Sequence, residues 1–351
     1  MSSNGLNLLE KRMYERYKLQ IDNCVCDIPE KKQAPEIKRI IKELNYLKKH
    51  TSFTCIEFFM LGFAYKTHQE WYEYLPDKSS RTIYERLRMS PAPFYTGDKY
   101  KVYEKYKKYF HRDACLVKTI EDKNVLFSFI SEKGKVMLKP LCGSLGEDII
   151  IVKSKDVIQF DSFFDDILKK YPDGCIAEEL IVQEESLAKL NPTSVNTLRI
   201  TTVRMDDRVE IQSFLRVGKM FSLFDNIARG GIVCTLNQET GEITRAMDHF
   251  GNRYEKHPHT GMPLIGYTVP RFKEAVELAE ELTEVIPNLR YMGWDLALTD
   301  SGWVMVELNA KAGIYCVQQT LGRGIKKDFE KIFEELGKPT DFPDAFKKNF
   351  K

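Results

Sequence analysis

Three oxygen-bearing side chains near the end of the sequence have the spacing of a metal site. The segment GWDLALTDSGWVMVELNAKAG places Asp295 before a turn at 300–302, and Glu307 and Asn309 after it. Residues two apart share a strand face, so Glu307 and Asn309 are expected to project together and to meet Asp295 across a hairpin. Mg²⁺ prefers such oxygen ligands, and three of them leave positions for phosphate oxygens and water. An amphipathic hairpin with its polar face in water is the alternative.

A lysine and a glycine-rich loop form the second pattern. KVMLKPLCGSLGEDIIIV predicts a strand ending at Lys139, a loop with Gly143, Ser144 and Gly146, and a second strand. Glycine lets backbone amides approach a phosphate, and a nearby lysine supplies mobile positive charge. The P-loop pattern GxxxxGK[ST] is absent, and a strand follows where a P-loop requires a helix. The segment indicates either a two-stranded phosphate flap or an ordinary glycine turn in a hairpin.

A strand that runs into acidic residues is the third pattern. In CIAEELIVQEES, main-chain groups from Glu179 to Ile181 could pair with an adenine while a carboxylate takes the ribose hydroxyls. Acid-rich strand ends are common, so this segment indicates a nucleotide site only through its order relative to the other two patterns.

Composition and charge bound the kind of protein that positions these groups. The chain has 351 residues, 43% hydrophobic and 30% charged, which is typical of a globular protein of two or three packed units. Residues 1–110 hold 21 Lys+Arg against 14 Asp+Glu, which gives this part a net charge of +7. The whole chain has a net charge of +2, so the remainder carries −5. A basic front could meet nucleic acid, a membrane surface or an anionic substrate, but solvated helix faces give the same count. We favour solvated faces and predict no nucleic-acid partner.

Cysteines and apolar segments indicate the compartment. The eight cysteines form no CxxC pair, and no histidine is spaced to complete a zinc site, so reduced thiols are expected. The N-terminus has no apolar core of signal-peptide length, and no stretch approaches the roughly 18 to 20 apolar residues that span a bilayer. We therefore predict a cytoplasmic chain without a transmembrane segment, and the sequence leaves the oligomeric state open.

Apolar periodicity changes along the chain. Residues 1–90 are predicted to be helical, with an amphipathic helix between Pro35 and His50 and an aromatic-rich segment that packs inward. SPAPFYTGD then predicts a linker. The fold class that follows is α+β, with a helical front and mostly antiparallel strands. The predicted strands are KVMLKPL, DIIIVK, CIAEELIV, TLRITTVRM, VEIQSFLRV, LALT and WVMVEL, and the predicted helices are KYKVYEKYKKYF, NVLFSFISEKG, DSFFDDILKKY and PRFKEAVELAEELTEVI.

The order of the motifs resembles the ATP-grasp superfamily. DK at 98–99, KPxxGSxG at 139–146, EELIxQ at 178–183 and NTLRI at 196–200 precede GWD and ELN, and DK lies 40 residues ahead of the flap lysine, as in D-alanine–D-alanine ligase. PTSVNTLRITTVR, DNIARGG, HPHTG and YMGWDLAL resemble the sugar-transfer-associated ATP-grasp proteins over roughly residues 90–325. The resemblance implies two α+β subdomains that grip ATP. The boundaries we predict are a helical region at 1–90, a small subdomain with flap and adenine hinge at 91–182, a C-terminal subdomain with the metal site at 183–330, and a tail at 331–351.

The resemblance also implies ATP and Mg²⁺ as cofactors. Lys99 and Lys139 would contact ATP phosphates, with the glycine loop closing above them. The adenine hinge would be formed by Glu178, Glu179 and Ile181, and one or two Mg²⁺ ions would be held by Asp295, Glu307 and Asn309. The implied activity is a ligase that joins a carboxylate, such as a sugar acid or amino acid, to an amine in surface-polysaccharide biosynthesis. A kinase for a small acceptor and a non-catalytic ATP-binding partner module are the alternatives.

Arginine and histidine side chains are candidates for handling the acceptor. A guanidinium clamps a carboxylate or phosphate with two parallel hydrogen bonds, so Arg229 in DNIARGG is a candidate anchor for an acyl phosphate. Arg199 is a second candidate, although its direction on the strand is not settled by sequence. In HPHTG, His257 and His259 could orient an acceptor or accept a proton, with His259 the catalytic candidate, or both could be polar loop residues. Gly293 stands where D-alanine ligases carry an arginine, so that cation must come from elsewhere.

Overall fold

The computed structural model describes residues 6–89, 94–143, 148–219, 225, 230–310, 312–343 and 346. Ser144, Gly146 and Arg229 lie outside these residues, as do residues 90–93 of the predicted linker. The helices are α1 (Leu8–Arg16), α2 (Lys18–Val25), α3 (Glu30–His50), α4 (Cys55–Met60), α5 (His68–Trp71), α6 (Ser79–Leu87), α7 (Lys99–Phe110), α8 (Lys123–Lys133), α9 (Phe160–Lys170), α10 (Glu185–Ala188), α11 (Phe272–Val285), α12 (Tyr315–Leu321) and α13 (Lys326–Glu335). Short 3-10 turns lie at Phe63–Tyr65, Phe94–Gly97, Ile120–Asp122 and Ser154–Asp156.

The strands form two antiparallel sheets. They are β1 (Ala114–Val117), β2 (Lys135–Pro140), β3 (Ile150–Lys153), β4 (Cys175–Glu179), β5 (Thr197–Arg204), β6 (Val209–Val217), β7 (Ile232–Leu236), β8 (Ile243–Asp248), β9 (Tyr291–Thr299) and β10 (Gly302–Asn309). The four-stranded sheet has the order β1-β4-β2-β3, and the six-stranded sheet has the order β10-β9-β5-β6-β7-β8. The predicted α+β class with antiparallel strands is confirmed. The sequence prediction had omitted β1, β7 and β8.

The helical front has an apolar core of its own. Thr54 and Glu57 form a capping box at the start of α4, in which each side chain accepts the other residue's amide, at 3.1 and 2.7 Å. Such reciprocal bonds satisfy amides that a helix N-terminus leaves unpaired. Ile40 and Leu44 of α3 are buried against aromatic side chains of the following segment, including Phe58. The predicted helical front and its inward-packing aromatic segment are confirmed.

One face of the six-stranded sheet is covered by the front together with α12 and α13. Leu75 and Ile83 of the front share an apolar cluster with Val203 and Phe214 of the sheet. Gln318 of α12 fastens the front by donating to the Leu75 carbonyl at 2.7 Å and accepting from the Leu75 amide at 2.8 Å. The front therefore shares a core with the sheet that carries the predicted metal residues.

Helices α7 and α11 cover the opposite face of the six-stranded sheet. Leu198, Trp294 and Met305 project into a core that Tyr106 of α7 and Leu282 of α11 complete. The rings of Tyr106 and Trp294 lie 5.7 Å apart in an edge arrangement. Every second residue along the strands faces this apolar core. The residues between them on β5, β6 and β9 project from the other face of the sheet and include the polar cluster described below.

The remaining expectations from composition concern cysteines and membranes. All eight cysteines are free. No helix within the described ranges is both long enough and apolar enough to cross a membrane.

Candidate functional site

A β-bulge in β10 decides which face of the hairpin carries the acidic residues. Counting back from the turn, where Gly302 pairs with Thr299, regular pairing would place Glu307 opposite buried Trp294. The register instead shifts between Met305 and Glu307, so Glu307 lies opposite Asp295. A bulge adds one residue to a strand and turns the side chains that follow to the other face. The extra residue thus moves Glu307 and Asn309 from the apolar face to the polar one.

The structure brings the three predicted metal residues together. Asn309 donates its amide to Asp295 Oδ2 at 3.3 Å, and Glu307 is the cross-strand partner of Asp295. Burial and the nearby Asp295 charge raise the pKa of Glu307. Among the residues that the structure describes, no group of three or more His, Cys, Asp or Glu side chains is placed to hold a metal. A cation at this place would therefore have two carboxylates and an amide oxygen, which leaves room for phosphate oxygens.

Two arginines flank Asp295. Arg199 lies directly opposite Asp295 on β5 and donates through Nη2 at 2.9 Å, with a second bond from Nε, and Arg216 on β6 donates at 3.0 Å. Burial by itself would raise the pKa of Asp295, but the two guanidinium charges lower it to about 2. Arg216 also donates to the Thr197 hydroxyl at 2.7 and 3.0 Å and lies 3.5 Å from Asp225. The Asp295 carboxylate is therefore ionised at neutral pH and held in a fixed position.

Arg216 was missed by the sequence reasoning. Its strand, VEIQSFLRV, was predicted, but the side chain reaches Asp295 across β5 and thus depends on the pairing of three strands. The direction of Arg199, which the sequence left open, is toward Asp295. Arg204 lies five residues further along β5, where it pairs with Glu284 at 2.9 and 3.2 Å.

Gly293 packs closely against Ala312 and lies beside Arg199. A Cβ atom on Gly293 would lie 3.6 Å from Cδ and from Nη1 of Arg199, and only 2.7 Å from the Cβ of Ala312. The Arg199 guanidinium, which comes from the neighbouring strand, therefore lies beside Gly293.

The two predicted phosphate lysines lie at the same end of the site. Asp98 caps α7 by accepting the amides of Tyr100 and Lys101 at 3.0 and 3.1 Å, and Lys99 is the first residue of the helix that this cap begins. Lys99 Nζ donates to the Gly143 carbonyl at 2.8 Å and lies 3.8 Å from Glu307. The base of the glycine loop and the predicted metal residues therefore meet at one ammonium group.

Glu178 lies in a buried network with the second lysine. Lys139 donates to its carboxylate at 3.0 Å and Arg112 donates at 2.7 and 3.1 Å. Burial opposes ionisation, but the charges of Lys139 and Arg112 lower the pKa of Glu178 to about 2. Glu179 is half-buried at the end of β4, with its carboxylate 3.4 Å from Lys133 Nζ. Ile181 is half-buried in the loop that follows.

The two histidines of HPHTG have different surroundings. His257 is buried, with Nε2 2.8 Å from the Gly218 carbonyl, and Nδ1 accepts the Thr260 amide at 3.2 Å. Burial lowers the pKa of His257, so its imidazole is neutral at pH 7 and fixes the turn. His259 is exposed on the same turn, with its ring centroid 5.8 Å from that of His257.

Two antiparallel sheets, with lysines on one side of the site and an Asp-Glu-Asn cluster on the other, are the architecture of an ATP-grasp protein. The family described as "Sugar-transfer associated ATP-grasp" matches residues 98–334, and this chain belongs to that family. No curated protein sequence matches the chain.

Several solved structures have a more distant similarity. D-alanine–D-alanine ligase from Bacillus anthracis is 16% identical with a TM-score of 0.42, over 69% of this chain and 68% of that one. D-alanyl-alanine synthetase A from Vibrio cholerae is 11% identical (TM-score 0.39, 62% of this chain, 56% of that one). The ATP-grasp ligase PsnB complexed with minimal precursor is 15% identical (TM-score 0.37, 62% and 53%). The chain thus spans about half the length of the last two, and these values are too low to bear on its chemistry.

Proposed function

We propose that this protein is an ATP-dependent carboxylate–amine ligase that works through an acyl phosphate. The observation that carries the proposal is the pair of guanidinium groups, Arg199 and Arg216, on either side of Asp295. Neither arginine has a hydrogen-bond partner for Nη1 among the described residues, so each keeps donors for an anion. Two such donors beside a cluster of metal-type ligands suit an acceptor carboxylate and the phosphoryl group that joins it.

The nucleotide is proposed to lie between the two sheets. Lys99 and Lys139 would bind its phosphates, with the loop of Gly143, Ser144 and Gly146 above them. Glu179 and Ile181 would border the adenine at the end of β4. Glu178 is already bonded to Lys139 and Arg112, so its proposed part is to hold the phosphate lysine at the hinge.

The donor set suits magnesium. Burial and the negative charge of Asp295 raise the pKa of Glu307, because both disfavour its ionised form. A bound cation would relieve this repulsion between the two carboxylates. Asn309 turns its amide nitrogen toward Asp295, which directs its oxygen away from that residue. Asp295, Glu307 and Asn309 would then hold the ion, which when bound would neutralise charge on the phosphate oxygens.

The chain's own residues account for the rest of the proposed reaction. Arg199 and Arg216 hold the acceptor carboxylate so that one of its oxygens faces the γ-phosphorus, and that oxygen forms the new bond as the bond to ADP breaks. An amine then attacks the acyl carbon, phosphate leaves, and the nitrogen loses a proton. His259 is the proposed proton acceptor, and Arg229 remains a second proposed anchor for the acyl phosphate. Donors fixed in advance around developing charge are the main requirement of such chemistry.

The proposed carboxylate is a sugar acid or an amino acid, and the proposed setting is surface-polysaccharide biosynthesis in the cytoplasm. The family description supports the sugar connection. The proposed amine is a small molecule.

Hydroxylamine provides the decisive test because it captures acyl phosphates as hydroxamates without the natural amine. The protein is incubated with ATP, Mg²⁺, hydroxylamine and separate pools of uronic acids and amino acids, and ADP and hydroxamate are measured. We expect both products in equal amounts with one pool. Arg199→Met and Glu307→Gln should abolish both, whereas Arg204→Met, which alters an arginine on the same strand that pairs with Glu284, should leave them unchanged.

The other outcomes identify the alternatives. A stable phosphorylated acceptor that yields no hydroxamate would identify a kinase. Binding of ATP and Mg²⁺ with no turnover in any pool would overturn the ligase proposal in favour of a nucleotide-binding partner module.

A further inference from the structure

Arg112 lies between the two sheets and uses its whole guanidinium group. The side chain is 4% exposed and follows α7 in the short connection to β1. It donates to Glu178 at 2.7 and 3.1 Å, to the carbonyls of Phe110 and Met305 at 3.3 and 2.7 Å, and to the carbonyl of Val306 at 3.3 Å. An arginine has five N–H donors, and these five bonds account for all of them.

Two of those bonds support the bulge in β10. Met305 and Val306 are the residues at which the register shifts, and Glu307 comes directly after them. A bulge interrupts the regular ladder of main-chain hydrogen bonds, so its carbonyls need donors from elsewhere. Arg112 supplies those donors, and the direction of Glu307 depends on the bulge keeping its shape.

The other main contact of Arg112 leads to the phosphate side of the site. Its bonds to Glu178 share that carboxylate with Lys139, which approaches at 3.0 Å. All three side chains are largely withdrawn from water, with exposed fractions of 4%, 5% and 13%. Hydrogen bonds between charged side chains are stronger at such a buried site than in water, and removal of one side chain leaves a buried charge without its partner.

We propose that Arg112 is a positioning residue that fixes Lys139 and Glu307 relative to each other across the two sheets. It acts on Lys139 through Glu178 and on Glu307 through the bulge at Val306. The inference rests on the proposed nucleotide site and adds to it the residue that couples its phosphate half to its metal half.

Arg112→Lys is the sharpest test because it keeps the buried charge beside Glu178 but removes the planar fork. Affinity for a non-hydrolysable ATP analogue is measured by calorimetry with Mg²⁺ and with EDTA. We expect the Mg²⁺-dependent gain in affinity to fall by about tenfold or more, as for other supports of metal ligands, with a smaller change in EDTA. Arg290→Lys is the matched control, because Arg290 is 11% exposed and also bonds to a carbonyl and a carboxylate, at Arg204 and Asp206.

A double-variant cycle separates positioning from a general loss of structure. If Arg112 acts through Glu307, then Arg112→Lys lowers Mg²⁺-dependent affinity little further once Glu307→Gln is present. Should Arg112→Lys be unfolded by circular dichroism, Arg112→Gln, which keeps amide donors for the carbonyls, takes its place in the cycle.

The results that would overturn the inference are distinct. Full Mg²⁺-dependent affinity in Arg112→Lys, equal losses in Arg112→Lys and Arg290→Lys, or additive effects in the cycle would each remove the coupling role and leave the nucleotide site standing. Wild-type protein that binds the analogue neither with Mg²⁺ nor in EDTA would overturn the proposed function itself.

Discussion

Replacement of Gly293 by alanine tests how closely Ala312, in the segment after β10, packs against β9. The new Cβ would lie 2.7 Å from the Cβ of Ala312, well inside ordinary contact. Its contacts with Cδ and Nη1 of Arg199, both 3.6 Å, are normal van der Waals distances. The added methyl group therefore has to displace Ala312, whose carbonyl accepts a 2.7 Å hydrogen bond from the Tyr291 hydroxyl.

Two opposing terms set the size of the effect. Overpacking a tight contact destabilises a fold by about 1–3 kcal/mol. Replacing glycine by alanine stabilises by about 0.4–1 kcal/mol where the backbone conformation suits both, because the unfolded chain loses freedom. Gly293 lies in a strand without a positive φ, so this second term applies. The net expectation runs from almost no change to a loss of about 2.6 kcal/mol in the free energy of unfolding.

Urea denaturation followed by tryptophan fluorescence measures this loss. Ala312→Gly removes the opposing methyl group. Gly293→Ala should therefore lower the stability of the Ala312→Gly variant much less than it lowers the stability of the wild-type protein, and we call this difference the recovery in the double variant. Gly97→Ala is the control, since its added Cβ would meet no atom within 4 Å. A gain in stability of about 0.4–1 kcal/mol in Gly293→Ala, which is the unopposed effect of replacing glycine, or no recovery in the double variant, would refute the close contact between Gly293 and Ala312.

Three further outcomes are expected. Because the pKa of Glu307 is raised by burial and by Asp295, calorimetry should show Mg²⁺–nucleotide affinity weakening as pH falls through the mildly acidic range, and Glu307→Gln should flatten that slope. Arg216→Met leaves two buried carboxylates poorly balanced and should lower the urea-derived stability by about 3–5 kcal/mol; a loss no larger than that of Arg204→Met, which breaks an exposed pair, would contradict this. Asp77 accepts the amides of Ile314 and Tyr315 at 2.7 and 3.3 Å, so Asp77→Ala should lower stability by about 2 kcal/mol, and an unchanged urea midpoint would show that these bonds contribute nothing.

Local pattern was sufficient for most elements of the fold. The helices α7, α8, α9 and α11 were predicted because apolar residues recur at three-to-four spacing within each segment. The strands omitted were four to six residues long. β1 has four residues and β7 has five, so neither contains a long run of alternation that would distinguish it from a loop.

Some features of the candidate site were likewise predicted by local pattern, and others depend on the tertiary structure. The spacing of Glu307 and Asn309 correctly predicted a shared face, because residues two apart in a strand always share one. Which face that is depends on the bulge, since regular pairing from the turn would have directed both toward the apolar core. Arg216 and Arg112 were not singled out, because their partners come from strands and loops that only the folded chain brings near.

The sequence by itself determined the types of most elements, the order of the motifs and the family, because each of these is set by neighbouring residues and their chemistry. Tertiary structure decided the direction of Arg199, the face of Glu307 and the use of Arg112. The physical reason is distance along the chain, since the bond from Arg112 to the Met305 carbonyl joins residues 193 positions apart, and no local pattern specifies such a pair.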